Sequence, residues 1–168
     1  DEGSDNNSDG NVVIGYSAGT GGAAEFINNI AIGHLALDGT GALDSEQNIA
    51  MGYNAMGGTW TTGASYYNIA IGGGTMAGAM NACNQNVVVG HVAGANLTTG
   101  DNNVLIGKDA GNAMTTGNKN VAVGTEAMDL ANSGEIGNVI IGEEAGDAIN
   151  SAVADYNVGI GYNALGGG

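Results

Sequence analysis

Asn103-Val-Leu-Ile-Gly107 is answered 17 residues later by Asn120-Val-Ala-Val-Gly124. The same unit starts at Asn11, Asn29, Asn48, Asn68, Asn86, Asn103, Asn120, Asn138 and Asn157, nine copies at a period of 17–20 residues. Each closes on a glycine four residues on, from Gly15 to Gly161. Seven residues after each Asn stands Ala, with Thr75 the one departure. A unit this short cannot bury an apolar face by itself, so copies must stack on one another. Positions are counted below from the Asn of each unit.

Positions +1 and +3 are Val, Ile or Met in every copy, for example Val104/Ile106 and Val139/Ile141. Side chains two apart in a strand share a face, and β-branched residues suit a pleated, crowded surface. The glycine then ends the strand by allowing a turn closed to other residues. The expected fold is an all-β parallel β-solenoid of about nine coils, a rod of roughly 40–45 Å. The nine Asn should form a ladder up one corner, with side-chain amides hydrogen-bonding along the stack.

The residue between the pair is also apolar or small: Val13, Ala31, Ala50, Ala70, Val88, Leu105, Ala122, Ile140 and Gly159. Both strand faces therefore ask for burial. The reading is that the +1/+3 pair fills the coil's own interior. The middle residues, Val13, Val88, Leu105 and Ile140 among them, would then pack against other copies of the chain. The second half of the unit is rich in Gly, Thr and Asn and carries one apolar anchor about eleven after the Asn: Leu97, Met114 and Ile149, with Leu130 one short. Residues 1–10 read as an acidic leader or the end of a preceding coil, and residues 11–168 as one repeat domain.

Composition narrows the function. The formal charge is −15, with 17 acids against Lys108 and Lys119. Such a surface repels phosphate backbones and anionic lipid, so no nucleic acid and no membrane insertion is expected. Glycine numbers 33 and large side chains are sparse, which suits a thin interior rather than a thick core. Cys83 stands alone, which favours a small buried residue over a redox or zinc site. No cofactor is implied.

Few constellations suggest chemistry. Asp5, Asn7, Asp9 and Gly10 match the front of a calcium loop, but its twelfth position is Tyr16, so an acidic turn is the better reading. Asp109, Glu126 and Glu143-Glu144 fall at equivalent places in neighbouring coils and read as a solvated acidic strip. His34 and His91 share a repeat position with Tyr16, Tyr53 and Tyr162 but lie three coils apart, about 14 Å, too far to share a metal. Thr pairs occur only at Thr61-Thr62, Thr98-Thr99 and Thr115-Thr116, too few for an ice-binding ladder. No enzyme is expected. Tyr53, Trp60, Tyr66 and Tyr67 fall in adjacent coils; they would either meet a host-surface glycan or protein receptor, or cover a seam between chains.

The units N-I-A-I-G, N-V-A-V-G and N-V-I-I-G, with Ala and Gly following, resemble the head repeats of trimeric autotransporter adhesins. They resemble still more closely the longer T-G-x-N-N-x-x-x-G units of phage tail fibres. The likeness covers Asn11 to Gly168, although these units are longer than the short adhesin repeat. It implies a left-handed β-roll in a side-by-side homotrimer, and a structural and adhesive segment of a fibre that presents a host-binding surface. A virion appendage or an extracellular cell surface would be its place. The alternative under the same likeness is the head domain of a bacterial surface adhesin or an extracellular filament subunit.

Overall fold

The computed structural model describes residues 8–21, 25–132, 134–147, 149 and 154–166. Twelve short strands appear in it: β1 (Val12–Ile14), β2 (Phe26–Ile27), β3 (Ile30–Ile32), β4 (Ser45–Glu46), β5 (Ile49–Met51), β6 (Ser65–Tyr66), β7 (Ile69–Ile71), β8 (Val87–Val89), β9 (Val104–Ile106), β10 (Val121–Val123), β11 (Val139–Ile141) and β12 (Val158–Ile160). The nine three-residue strands form one parallel sheet in the order β1-β3-β5-β7-β8-β9-β10-β11-β12. Its register pairs each repeat with the next, as in Leu105 opposite Ala122 and Ala122 opposite Ile140. A second parallel sheet, β2-β4-β6, joins only the early coils. The chain is thus an all-β parallel solenoid of about eight turns.

The asparagine ladder forms as expected. The Asn120 backbone N–H donates to Asn103 Oδ1 at 3.0 Å, and Asn103 Nδ2 donates to the Gly117 carbonyl at 2.7 Å. The pattern repeats from coil to coil, and the ladder side chains from Asn29 to Asn138 are fully buried. Each amide thus satisfies backbone groups that a corner would otherwise leave unpaired in the interior. The strand-ending glycine is fixed by the stack as well as by its turn. At Gly107, φ is 140° and an added Cβ would lie 2.1 Å from the Gly124 carbonyl oxygen.

The strand faces are the reverse of the sequence reading. Ala31, Ala50, Ala70, Val88, Leu105, Ala122 and Ile140, the middle residues, are 0% exposed within a single chain. Val88, Leu105 and Ile140 therefore cannot pack against another copy. Val13, on the edge strand β1, is partly exposed, but it points the same way and touches the space over Gly19. The +1 and +3 residues face outward. The reason is geometric: the narrow interior already receives the +7 Ala, the +8 residue and the anchor of the return segment, leaving room for one strand side chain rather than two.

That interior is filled by reciprocal sizes. Where the middle residue is Val, Leu or Ile, position +8 is Gly: Val13/Gly19, Val88/Gly94, Leu105/Gly111 and Ile140/Gly146. Where it is Ala or Gly, position +8 is Leu or Met: Ala31/Leu37, Ala50/Met56, Ala70/Met76, Ala122/Met128 and Gly159/Leu165. A Cβ on Gly111 would sit 3.0 Å from Leu105 Cδ1, and one on Gly146 would sit 2.9 Å from Ile140 Cγ2. Cores at native density tolerate redistribution of volume but not its loss or excess.

The return-segment anchor is also inward. Leu97, Met114 and Ile149 are buried as expected, and Trp60 and Met80 occupy the corresponding place in longer coils. Leu130 is instead about half exposed, because Ala131, one residue on, takes the buried position. Cys83 is buried, with its thiol pushed up to about 12 by burial and then by the Asp101 charge; the Asn86 amide donates to its sulfur at 3.2 Å.

Candidate interaction surface

Because the middle residues turn inward, the outer face of the large sheet carries only Val, Ile and Met. Two columns run its length: +1 from Val12 to Val158 and +3 from Ile14 to Ile160. In mid-stack the +3 column is only partly covered, with Met51, Ile71, Ile106 and Ile141 each 37–38% exposed. Nine strands at about 4.8 Å and a face two side chains wide, about 9–10 Å, make a continuous apolar strip of roughly 400 Å². A patch of this area is within the range of a single-chain protein; what sets the strip apart is that it runs unbroken along the whole sheet.

Two exposed columns flank the strip. Position −1 forms one rim: Gly10, Asn28, Gln47, Tyr67, Gln85, Asn102, Lys119, Gly137 and Tyr156. Position +5 forms the other: Tyr16, His34, Tyr53, Gly73, His91, Lys108, Thr125, Glu143 and Tyr162. Of 17 acids in the chain, none falls at −1, +1 or +3, and Glu143 alone falls at +5. Both lysines stand on the rims. A chain of charge −15 thus has one long side nearly free of carboxylate.

The acids gather elsewhere. Asp109, Glu126 and Glu144 share position +6, and Lys108 bridges Asp109 and Glu126, the latter at 3.3 Å. Hydrogen bonds that Lys108 donates to these two carboxylates hold its ammonium above its usual range. Asp129 and Asp147, next to this column, have carboxyls pushed up by burial and then by neighbouring carboxylates. Tyr162 is raised first by its hydrogen bond with Glu144. Among the described residues no three His, Cys, Asp or Glu side chains are placed to hold a metal ion. Asp5 and Asn7, of the calcium-like stretch, lie outside the described residues; the Asp9 carbonyl accepts the Asn28 N–H at 2.8 Å, a rung of the stack. Among the described residues no helix is long and apolar enough to cross a membrane.

The four aromatics singled out from sequence do not make one patch. Trp60 is 3% exposed and belongs to the interior, so it cannot meet a receptor. The signal was its spacing, twelve after Asn48 and matched by Met80 twelve after Asn68. Tyr53 stands on the +5 rim, its ring tilted against His34 at 5.5 Å, and His34 is tilted against Tyr16 at 5.3 Å. Tyr66 and Tyr67 stand across the strip, their rings 6.3 Å apart. Tyr66 lies on the outer side of the small sheet, its phenol raised by burial and by Asp44, Glu46 and Glu25.

Comparison with family models, with curated proteins and with solved structures returns no match.

Proposed function

We propose that this chain is a structural and adhesive segment of a homotrimeric fibre, a virion appendage such as a tail fibre, in which the apolar strip is the seam between copies. The observation that carries the reading is the strip itself: two unbroken aliphatic columns on the one long side nearly free of acid. Like-charged rods associate where their charges are fewest, and burial of aliphatic surface supplies roughly 25 cal/mol per Å² to offset the remaining repulsion. A strip two side chains wide is too narrow to form a broad flat pair. Three such strips can close around an axis and shelter one another completely. The job is mechanical: coils held by amide ladders resist extension and proteolysis, and the acidic outer turns, with Tyr66 among them, face the host surface, where a glycan or protein receptor is met.

The test is the mass in solution. The chain should sediment at three times 16.4 kDa. Ile71→Lys with Ile106→Lys, on the outer face only, should give a folded single chain with unchanged far-UV circular dichroism. A wild-type chain that stays monomeric at micromolar concentration and above removes the reading. Loss of host-cell attachment in Tyr66→Ala, with the trimer intact, would locate the adhesive contact.

A further inference from the structure

Between Tyr16 and His91 the +5 rim carries a ladder of rings with one rung missing. The rings of Tyr16, His34 and Tyr53 meet at 5.3 and 5.5 Å on successive coils, tilted to one another by 58° and 52°. The next coil presents Gly73, and the coil after it His91. Nothing in its own chain asks for glycine at Gly73. Its φ is not in the left-handed region, and an added Cβ would meet only His91 Cδ2 at 3.6 Å and the Tyr53 carbonyl oxygen at 3.9 Å. By contrast Gly10 and Gly137, the glycines of the opposite rim, have φ of 69° and 70° and lie under Asn28 and Tyr156. Two coil steps separate Tyr53 from His91, about 9.6 Å, which leaves room for one ring between them, tilted as the rings of this column are.

The opposite rim of that same coil carries Tyr67, 51% exposed. It cannot fill the gap beside Gly73 of its own chain. Six residues of largely extended backbone and the width of the apolar strip lie between them, on the order of 15–20 Å. A second copy can bring it there. The strip alone, roughly 400 Å², is about half of what one partner contributes to a stable interface, so the rims must take part in any stable assembly.

We infer that copies of this chain associate in parallel and in coil-for-coil register, the −1 rim of one against the +5 rim of the next, with Tyr67 of each copy stacked in the Gly73 gap of its neighbour. This rests on the self-association proposed above and specifies its geometry. Any axis along the rods sets unlike rims together in this way, whereas a two-fold axis perpendicular to the rods would set like rims together; the assembled mass gives the number of copies around the axis. It also assigns Tyr53 and Tyr67 to the seam, leaving Tyr66 outside it.

The test exchanges the two residues. Both substitutions place residues that other coils already carry at those positions: Gly on the −1 rim as at Gly10 and Gly137, and Tyr on the +5 rim as at Tyr16 and Tyr53. Gly73→Tyr alone and Tyr67→Gly alone should each raise the concentration for half-assembly about tenfold, the scale of one aromatic pair. The double variant Tyr67→Gly/Gly73→Tyr should recover most of that loss. In a Cys83→Ser background, chains bearing Tyr67→Cys mixed with chains bearing Gly73→Cys should form a disulfide between copies, and neither alone should. Single variants that assemble like wild type, a double variant no better than the worse single, or Tyr67→Cys chains that cross-link to each other would overturn the register. If the assembled mass is retained in those cases, the fibre reading stands; a monomeric wild type overturns both.

Discussion

The early coils, from Asn29 to Asn86, and the later ones, from Asn86 to Asn138, run on the same backbone and fill it from opposite sides. In the early group the strand contributes Ala31, Ala50 and Ala70, and the turn contributes Leu37, Met56 and Met76. In the later group Val88 and Leu105 come from the strand and the turn gives Gly94 and Gly111, with the Ala122/Met128 coil reverting to the early pattern. The early coils are also longer and use the extra residues to add the small sheet β2-β4-β6 and to seat Trp60. The later coils make the same corner with an isolated bridge, Asn118 to Ile136. The lesson is that the ladders of Asn and Gly set the backbone, and the interior volume is then a quantity that two positions share.

If the backbone is common to both groups, its ladder should be equally intolerant in each. Gly52→Ala and Gly107→Ala place a Cβ 2.5 and 2.1 Å from the next coil's carbonyl oxygen at φ of 136° and 140°. Each is expected to cost more than about 4 kcal/mol and to abolish cooperative melting locally, seen as early loss of amide-exchange protection in the flanking coils. Unequal effects would break the equivalence.

Next in size is Trp60→Ala, which empties the anchor of an early coil. A loss of about 3–5 kcal/mol in urea unfolding is expected. A negligible loss would mean that the longer coils do not rely on their extra residues.

The shared-volume claim predicts compensation. Leu105→Ala should destabilise by about 2–5 kcal/mol, and Gly111→Met by about 1–3 kcal/mol through overpacking against Leu105. Together they rebuild the Ala122/Met128 arrangement, and the pair should fall within about 1 kcal/mol of wild type. Additive losses would show that the two groups of coils differ in more than where their volume comes from.

The smallest effect is that of pH, and it sharpens the same comparison electrostatically. Asp129 and Asp147 of the later coils and Asp38 of the early ones have folded carboxyls raised above the ordinary value, first by burial. A raised folded value means that the native state holds the proton more tightly. Its stabilisation is present below the unfolded value of about 3.9 and is lost as pH climbs through the raised one. Thermal midpoints should therefore rise by a few degrees on going from pH 7 toward 4.5. Asp129→Asn and Asp147→Asn should flatten the rise more than Asp38→Asn, because a backbone hydrogen bond and the attraction of His34 partly offset the effect of burial on Asp38. A midpoint that falls on mild acidification would contradict this.

Much of the fold was legible in the residues. The period, the Asn corner, the Gly strand end and the burial of Ala at +7 each follow from a local requirement repeated nine times. The inversion of the strand is written in the residue sizes too: only if the middle residue and position +8 share one space do Leu105 with Gly111 and Ala122 with Met128 make sense. The place of Trp60 is masked in the sequence because its coil is lengthened, which hides its correspondence to Leu97 and Met114. The exposed strip followed from the apolar character of both faces, but the columns that form it were exchanged.

The sequence by itself determined that short strands stack in parallel with an amide ladder at one corner, because those demands are met by neighbours along the chain. Which strand face turned inward, and hence which columns lie open, was decided only in three dimensions. Alternation tells that two faces differ, not which one the closing turn will cover; that depends on the volume already delivered to the interior by residues five and more positions away.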